Sequence, residues 1–148
     1  MGQVIEGCVE KLEGEKFESY WPMISAELDT VPHIWADRWT KESIHDYTAE
    51  GRFQCWAVGT IEQIRFVCFS QIAEYPAARI FQIFLAFGHK EVETVPLLVA
   101  ALEPYCQMFK CSYAEVPGRF GWEPELKKYG FERRTMVLSR KLVRRITN

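Results

Sequence analysis

The sequence predicts an α+β fold with a mixed, mostly antiparallel sheet flanked by helices. Two short amphipathic helical patterns come first, and three runs rich in aromatic and β-branched residues follow at the spacing of an antiparallel meander. The third run is connected to a later strand through a helix, and a crossover of this kind joins parallel strands. We therefore expect one parallel neighbour in an otherwise antiparallel sheet.

The composition is that of one globular domain, residues 1–148. With 48% hydrophobic and 26% charged residues, the chain of 148 residues is long enough to bury a sizeable core. It has no apolar run of about 18 residues and nothing typical of a signal peptide. The five cysteines form no CxxC pair and are predicted as reduced, packed thiols. We therefore expect a cytoplasmic protein that does not enter a membrane.

The first part of the chain is predicted to hold an arm and a helix. Residues 1–16 read as a first edge strand or a loose arm, with scattered apolar positions among glutamates. Apolar residues then recur at helical spacing over residues 17–28. Pro22 falls within this pattern, and proline is tolerated in the first turn of a helix. The helix is therefore predicted to begin near Tyr20.

A second short helix is predicted ahead of the strands. Thr40 is a suitable N-cap and Gly51 a suitable end. Trp35 and Trp39 precede this helix at a spacing of four residues. If their segment is helical, they form an exposed aromatic patch that a partner protein could bind.

Three strands are predicted over residues 53–58, 64–73 and 79–87. The third is apolar on both faces apart from Gln82, which is typical of a strand covered on both sides. It is therefore predicted to lie inside the sheet rather than at an edge.

The last third of the chain is predicted to alternate between helix and strand. A helix begins near Thr94, and Pro104 should kink it or end its first segment. A strand over residues 112–116, a short helix that ends at Gly130 and a long strand over residues 131–142 follow. Gly130 suits the left-handed cap of the short helix.

The stretch between the last two strands contains the most distinctive motif, Gly118-Arg119-Phe120-Gly121-Trp122. Its two glycines permit backbone angles that a Cβ would forbid. One interpretation is that Arg119 is delivered to a helix N-terminus beside a cleft, where it would meet an anion. The other is an ordinary turn with a structural tryptophan.

The order of elements and this stretch resemble the GNAT acyltransferase fold. More narrowly, Gly118-Arg119-x-Gly121-Trp122, the pair Gly130-Phe131 and a basic tail are similar to small GNAT-like proteins encoded by tailed bacteriophages. The resemblance implies acetyl-coenzyme A as the ligand, lying where the third strand and the 112–116 strand separate. It implies a small-molecule or protein amine as the acceptor. The residues that it assigns to cofactor binding are Gly88, His89, Lys90, Arg119 and Trp122.

The sequence departs from the GNAT pattern at two places. The loop over residues 88–94 has one glycine and two acids, Glu91 and Glu93, where the family carries a glycine-rich phosphate loop. Leu126 stands where many GNAT enzymes have the tyrosine that reprotonates the leaving thiolate. The catalytic residues therefore stay unassigned, and the candidates for a general base are Glu74, Glu115 and His89.

The charge of the chain is unevenly distributed. The net charge is −2, but no acid follows Glu132, so the body of the chain is acidic and its end is basic. This end is a candidate surface for phosphate, nucleic acid or the acidic face of another chain, and the alternative is a solvated face of the terminal strand. The residues that would contact phosphates are Arg133, Arg134, Arg140, Lys141, Arg144 and Arg145. No spacing of histidines and cysteines matches a zinc site, so no metal is expected.

Three classes of function follow. The first is an N-acyltransferase that uses acetyl-coenzyme A. The second is a GNAT-like phage protein without catalysis, acting in the virion or by binding a partner, and the third is a transferase that acts on nucleic acid. The protein would work in the cytoplasm, which is the host cytoplasm or the virion if a phage encodes it.

Overall fold

The fold is built on one five-stranded sheet. The structure is a computed structural model, and it describes residues 9–88, 91–116, 122–134, 140 and 142. The strands follow one another across the sheet in chain order. The first four strands pair antiparallel with one another, and the fifth pairs parallel with the fourth. The strands are β1 (Val9–Leu12), β2 (Phe53–Gly59), β3 (Ile64–Glu74), β4 (Arg79–Gly88) and β5 (Tyr113–Glu115). The α+β class and the single parallel neighbour are confirmed.

Helices cover both faces of the sheet. One core cluster places the helices before β2 against one face, and the other places those after β4 against the opposite face. The helices are α1 (Gly14–Leu28), a 3₁₀ turn (Pro32–Ile34), α2 (Lys41–Ala49), α3 (Glu91–Met108) and α4 (Glu123–Lys127). We call the two sides of the sheet the α1/α2 face and the α3/α4 face.

Strand β4 lies inside the sheet, as its apolar sequence predicts. Phe81, Ile83 and Ala86 belong to the core on the α3/α4 face, whereas Leu85 and Phe87 belong to the core on the other face. Strand β4 therefore contributes to both cores, which is why both of its faces are apolar.

The predicted start of the first helix is wrong. Helix α1 begins at Gly14 and contains Pro22 in its interior, since its core-facing residues Phe17, Ile24 and Leu28 are all buried. Burial of this apolar stripe offsets the loss of one interior hydrogen bond at the proline. Of the region predicted as an edge strand or a loose arm, Val9–Leu12 forms an edge strand that pairs with β2, and residues 1–8 lie outside the described residues.

Helix α2 follows its prediction. The Oγ1 atom of Thr40 accepts a hydrogen bond from the N–H of Ser43 at 3.0 Å, and the Ser43 side chain accepts one from the N–H of Thr40 at 2.9 Å. Gly51 follows the end of the helix with a φ of +86°, an angle that glycine adopts without strain.

The predicted exposed patch of Trp35 and Trp39 is wrong. The 3₁₀ helix before α2 covers only Pro32–Ile34 and contains neither tryptophan. Both indoles pack partly buried against the core on the α1/α2 face. The indole N–H of Trp35 donates to the backbone carbonyl of Leu28 at 2.8 Å. These tryptophans therefore hold the link between α1 and α2.

The later elements differ from their predictions at their ends. Helix α3 begins at Glu91, three residues before the predicted start, and Pro104 does not end it. Gly130 has the predicted positive φ, +89°, just after α4. Residues 131–134 have no regular secondary structure, so the final strand is wrong over these positions. The rest of that strand lies largely outside the described residues.

Candidate functional site

The pairing of β4 with β5 stops partway along β4. Three pairs join the two strands, and the last is Gln82 with Glu115. Strand β4 continues to Gly88 and stays paired with β3 on its other side. Within the described ranges, no strand pairs with the β5 side of residues 83–88. We call the space beside this edge the cleft. Among the described residues, no strand pairs with the amides and carbonyls that face it, and backbone groups of this kind can pair with a ligand.

The cleft begins where β4 is bulged. Ser70 of β3 faces Ile83 and the adjacent Phe69 faces Leu85, so Phe84 is an additional residue in β4. A bulge bends its strand and increases the local twist. The bend lies directly after the last pair with β5, and it therefore accounts for the separation of the two strands.

A row of polar side chains crosses the sheet at the start of the cleft. The Nε2 atom of Gln71 donates to Oε1 of Gln82 at 3.3 Å, and Nε2 of Gln82 donates to Oε1 of Glu115 at 3.1 Å. All three residues are partly buried. The row fixes one oxygen of the Glu115 carboxylate at the last paired position.

Aromatic rings lie farther along the same face of the sheet. The ring of Phe84 is 4.6 Å from that of Phe53 and 5.4 Å from that of Trp39, measured between centroids. Tyr47 packs edge-on against Phe53, and the guanidinium of Arg52 lies 4.1 Å above the Tyr47 ring. Gln82 and Phe84 both point toward this α1/α2 face. A carboxylate with an aromatic wall nearby is an arrangement that suits a cationic amine.

An apolar cavity of about 220 Å³ lies on the opposite face, between α3, β5 and α4. It adjoins the cleft, because Ile83 and Val116, the first residues after the last pair, both line it. Val95, Trp122 and Leu126 complete this end of its wall. The cavity therefore provides apolar space on the α3/α4 side of the free strand edge.

Gly88, a predicted cofactor-binding residue, ends β4 and has a structural role there. Its φ is +137°, and a Cβ at this position would lie 2.4 Å from the carbonyl oxygen of Arg65 and 2.6 Å from Cα of Phe66. Helix α3 begins at Glu91, three residues later, so its N-terminal amides open near the free end of β4. An N-terminus in this position can bind phosphate.

The other predicted binding residues are only partly described. His89, Lys90 and Arg119 lie outside the described residues. Trp122 is the N-cap residue of α4, only 3% exposed, and its ring centroid is 5.7 Å from that of Phe66. Trp122 therefore forms part of the cavity wall and the core.

Two of the candidate general bases are described, and they lie at different places. Glu74 is exposed at the turn between β3 and β4, where its carboxylate is 3.1 Å from Nη2 of Arg79. Glu115 lies at the start of the cleft. Gln71 and the row were not identified from the sequence, and the one sequence signal was Gln82, the lone polar residue of an apolar strand.

Leu126 and Tyr129 bear on the missing general acid. Leu126 is 8% exposed in α4 and lines the cavity, so its position holds an apolar side chain beside the cleft. Tyr129 is 43% exposed and also lines the cavity. Tyr129 thus places a tyrosine at the cavity, at a position that the family pattern does not indicate.

Two of the predicted phosphate-contacting arginines already have neighbours within the chain. Nη2 of Arg133 lies 2.6 Å from Oε1 of Glu123, and the guanidinium of Arg134 lies 4.7 Å from the centre of the Tyr113 ring. Arg140 is exposed. Lys141, Arg144 and Arg145 lie outside the described residues.

The described residues contain no cluster of three or more His, Cys, Asp or Glu side chains that could hold a metal ion. In the same part of the chain, no helix combines the length and apolar character needed to cross a membrane.

Solved acetyltransferases share this fold at low sequence identity. A predicted acetyltransferase from Clostridium acetobutylicum, crystallised with acetyl-CoA, has a TM-score of 0.63 at 14% identity, over 90% of this chain and 94% of that one. An acetyltransferase from Trypanosoma brucei has a TM-score of 0.64 at 14% identity, over 90% and 98%. An aminoglycoside acetyltransferase from an uncultured soil sample, in complex with sisomicin, has a TM-score of 0.63 at 11% identity, over 91% and 95%.

No protein-family model matches the sequence, and no curated protein matches it either. The structural likeness thus rests on the arrangement of helices and strands, which agrees over almost the whole length of each chain. The chain has the mixed α+β fold of the GNAT-like acetyltransferases.

Proposed function

We propose that this protein transfers an acetyl group from acetyl-coenzyme A to an amine, with Glu115 as the general base. The observation that carries the proposal is the cleft, which opens at a half-buried carboxylate held by Gln82. The fold supports it, because one of the similar structures was crystallised with acetyl-CoA. Acetyl-coenzyme A would supply the acetyl group as a thioester.

The described residues offer suitable surroundings for this ligand. The free edge of β4 over residues 83–88 presents backbone groups to an amide-containing chain. The N-terminus of α3 near Gly88 would favour phosphate, and the apolar cavity flanks the same edge. His89, Lys90 and Arg119 would add cations there. The acids Glu91 and Glu93 oppose phosphate, which predicts weaker binding than a glycine-rich loop would give.

The role of Glu115 follows from the chemistry of the acceptor. An aliphatic amine resembles the lysine side chain, whose pKa is about 10.4, so it is mostly protonated at neutral pH and must lose a proton before it can attack. Gln82 fixes Oε1 of the carboxylate, and we assign proton transfer to Oε2. The rings of Trp39 and Phe84 would line the approach of the amine and exclude water.

Binding and catalysis can be tested separately. Micromolar binding of acetyl-coenzyme A, measured at millimolar ligand, should stabilise the protein by about 4 kcal/mol. Glu115→Gln keeps an oxygen for Gln82 and should leave this binding unchanged. Loss of general base catalysis should lower kcat about 10²–10⁴-fold, measured by release of coenzyme A thiol with a panel of amines.

Glu74→Gln is the matched control, since it makes the same chemical change at an exposed carboxylate beyond the polar row. Its kcat should equal that of the unmodified protein. Equal activities of the two variants would refute the role of Glu115, and absence of any shift with acetyl-coenzyme A would refute the proposed function.

Leu126 favours a second candidate, a GNAT-like protein without catalysis that acts as a phage virion component or by binding a partner. The buried Leu126 replaces the family's proton donor, and the first turn of α3 carries the acids Glu91 and Glu93. This candidate predicts neither a thermal shift nor release of thiol. If release does occur, Tyr129→Phe would test whether the exposed phenol supplies the proton.

A further inference from the structure

Two thiols meet at the end of α3, in a part of the cavity that the proposed acetyl transfer does not use. Cys106 lies in the last turns of the helix and Cys111 just after it, and both line the cavity wall. Both are half-buried and neither is in a disulfide. The two thiols are near enough for each to shift the pKa of the other.

The backbone fixes the distance between the two residues. The N–H of Cys111 donates to the carbonyl of Cys106 at 2.9 Å, and Lys110 between them has a φ of +56°. Given standard bond lengths, this hydrogen bond limits the separation of their Cα atoms to at most about 6.8 Å. Disulfides span Cα separations of about 4.4–6.8 Å. The turn therefore keeps the two Cα atoms no farther apart than the upper limit for a disulfide, and both side chains line the same cavity.

We propose that Cys106 and Cys111 are a modification site, a dithiol that a hydroperoxide such as hydrogen peroxide converts to an intramolecular disulfide. The proposal is independent of the acetyl-transfer function. The backbone hydrogen bond between Cys106 and Cys111 already closes the loop over residues 106–111. Forming the disulfide therefore costs little additional chain entropy.

Cys111 is the residue that we assign to the first step. The guanidinium of Arg79 is held beside it, because Nη1 of Arg79 donates to the carbonyl of Phe109 at 2.7 Å and the N–H of Ser112 donates to the carbonyl of Arg79 at 2.7 Å. This cation opposes the effect of burial, which raises the pKa of the Cys111 thiol. Burial raises the pKa of Cys106 to about 11, so Cys106 forms a thiolate less readily.

The reaction balances in two steps. The Cys111 thiolate attacks one oxygen of hydrogen peroxide, the O–O bond breaks, and the leaving hydroxide takes up a proton to give water and a sulfenic acid. The sulfur of Cys106 then attacks that sulfenic sulfur, the S–S bond forms, and the S–O bond breaks with loss of a second water. Two thiols are oxidised and one peroxide is reduced.

Trypsin provides a direct test, because Lys110 lies between the two cysteines. Cleavage after Lys110 separates residues 91–110, which contain Cys106, from residues 111–119, which contain Cys111. After treatment of the folded protein with hydrogen peroxide, these two peptides should run as one linked species in mass spectrometry. A reductant should separate them, and on a non-reducing denaturing gel the protein should run at the size of a single chain.

Cys55 and Cys68 are the internal control. They are fully buried and belong to cores on opposite faces of the sheet, so their peptides should not become linked. Cys111→Ser should abolish both the linkage and the loss of two thiols in a titration of the denatured protein. Cys106→Ser should instead let a sulfenic acid accumulate at Cys111, detected with a dimedone reagent.

The proposal would be overturned if peroxide leaves the peptides 91–110 and 111–119 separate while oxidising either cysteine to a sulfinic acid. Linkage of Cys106 or Cys111 to any other cysteine would overturn it as well. Since both serine variants remove only one partly buried sulfur, circular dichroism and the midpoint of urea unfolding should confirm that they fold.

Discussion

Gly88→Ala separates the structural role of this glycine from its predicted role in binding. The change places a Cβ 2.4 Å from the carbonyl oxygen of Arg65, inside any permitted contact, at a φ of +137°. The backbone angle alone costs about 1–3 kcal/mol for a residue other than glycine. The overlap with backbone atoms, which cannot rotate away, adds a comparable amount. We expect a loss of about 2–6 kcal/mol in the free energy of unfolding.

Gly130→Ala is the matched control for this prediction. Gly130 also has a positive φ, +89°, but a Cβ there would have no atom within 4 Å. Its cost should be the backbone strain alone, about 1–2 kcal/mol. Urea unfolding of both variants gives the comparison, and a loss for Gly88→Ala no larger than that for Gly130→Ala would refute the close approach to β3.

Three further predictions concern hydrogen bonds that hold the helices and the sheet. Thr40→Ala removes the side-chain cap of α2 and should lower stability by about 1 kcal/mol, measured by urea unfolding. Hydrogen bonds to the carboxylates of Glu18 and Asp46 raise the pKa of His45. Protonated His45 should therefore stabilise the folded protein fully below pH about 6.5, and this stabilisation should vanish as the pH rises through the raised pKa. The difference in unfolding free energy between the wild type and His45→Gln should therefore be larger at low pH. Ser70→Ala leaves the buried indole N–H of Trp56 unpaired and should cost about 1–3 kcal/mol in the same assay.

A control variant or a contrary result tests each of these three predictions. Thr40→Ser keeps a capping oxygen and should be nearly neutral, so an equal loss in both variants would argue against the cap. A pH-independent effect of His45→Gln would argue against a charged bridge between α1 and α2. Ser19→Ala changes an exposed hydroxyl that bonds only locally, and it should not match the loss at Ser70.

The sheet could be predicted from the sequence because its determinants are local. Strands β2, β3 and β4 were predicted from runs of aromatic and β-branched residues bounded by turns with glycine or proline. The parallel β5 was predicted because a helix connects it to β4. Pro22 misled the prediction of α1, since burial of its apolar stripe outweighs one missing hydrogen bond. Such a balance is decided by tertiary packing, which propensity does not contain.

The candidate site was less predictable. Glu115 was one of three possible bases, because its distinction from Glu74 depends on which residues face it across the strands. The row of Gln71, Gln82 and Glu115 depends on the pairing register of three strands, and the sequence pattern does not give that register. The contact between Cys106 and Cys111 likewise depends on the positive φ of Lys110. Binding by His89, Lys90 and Arg119 stays a prediction, as do the single domain and the phage origin.

The bulge at Phe84 amounts to an insertion of one residue into an otherwise regular strand. If Phe84 is removed, every other residue of β4 keeps its present face, because Ile83 and Leu85 already sit opposite neighbouring residues of β3. The ladder would then run straight, and β5 could follow β4 beyond Gln82. One additional residue in β4 thus accounts for the cleft. Deletion of Phe84 should leave a stable protein in which β5 pairs farther along β4 and the cleft is absent.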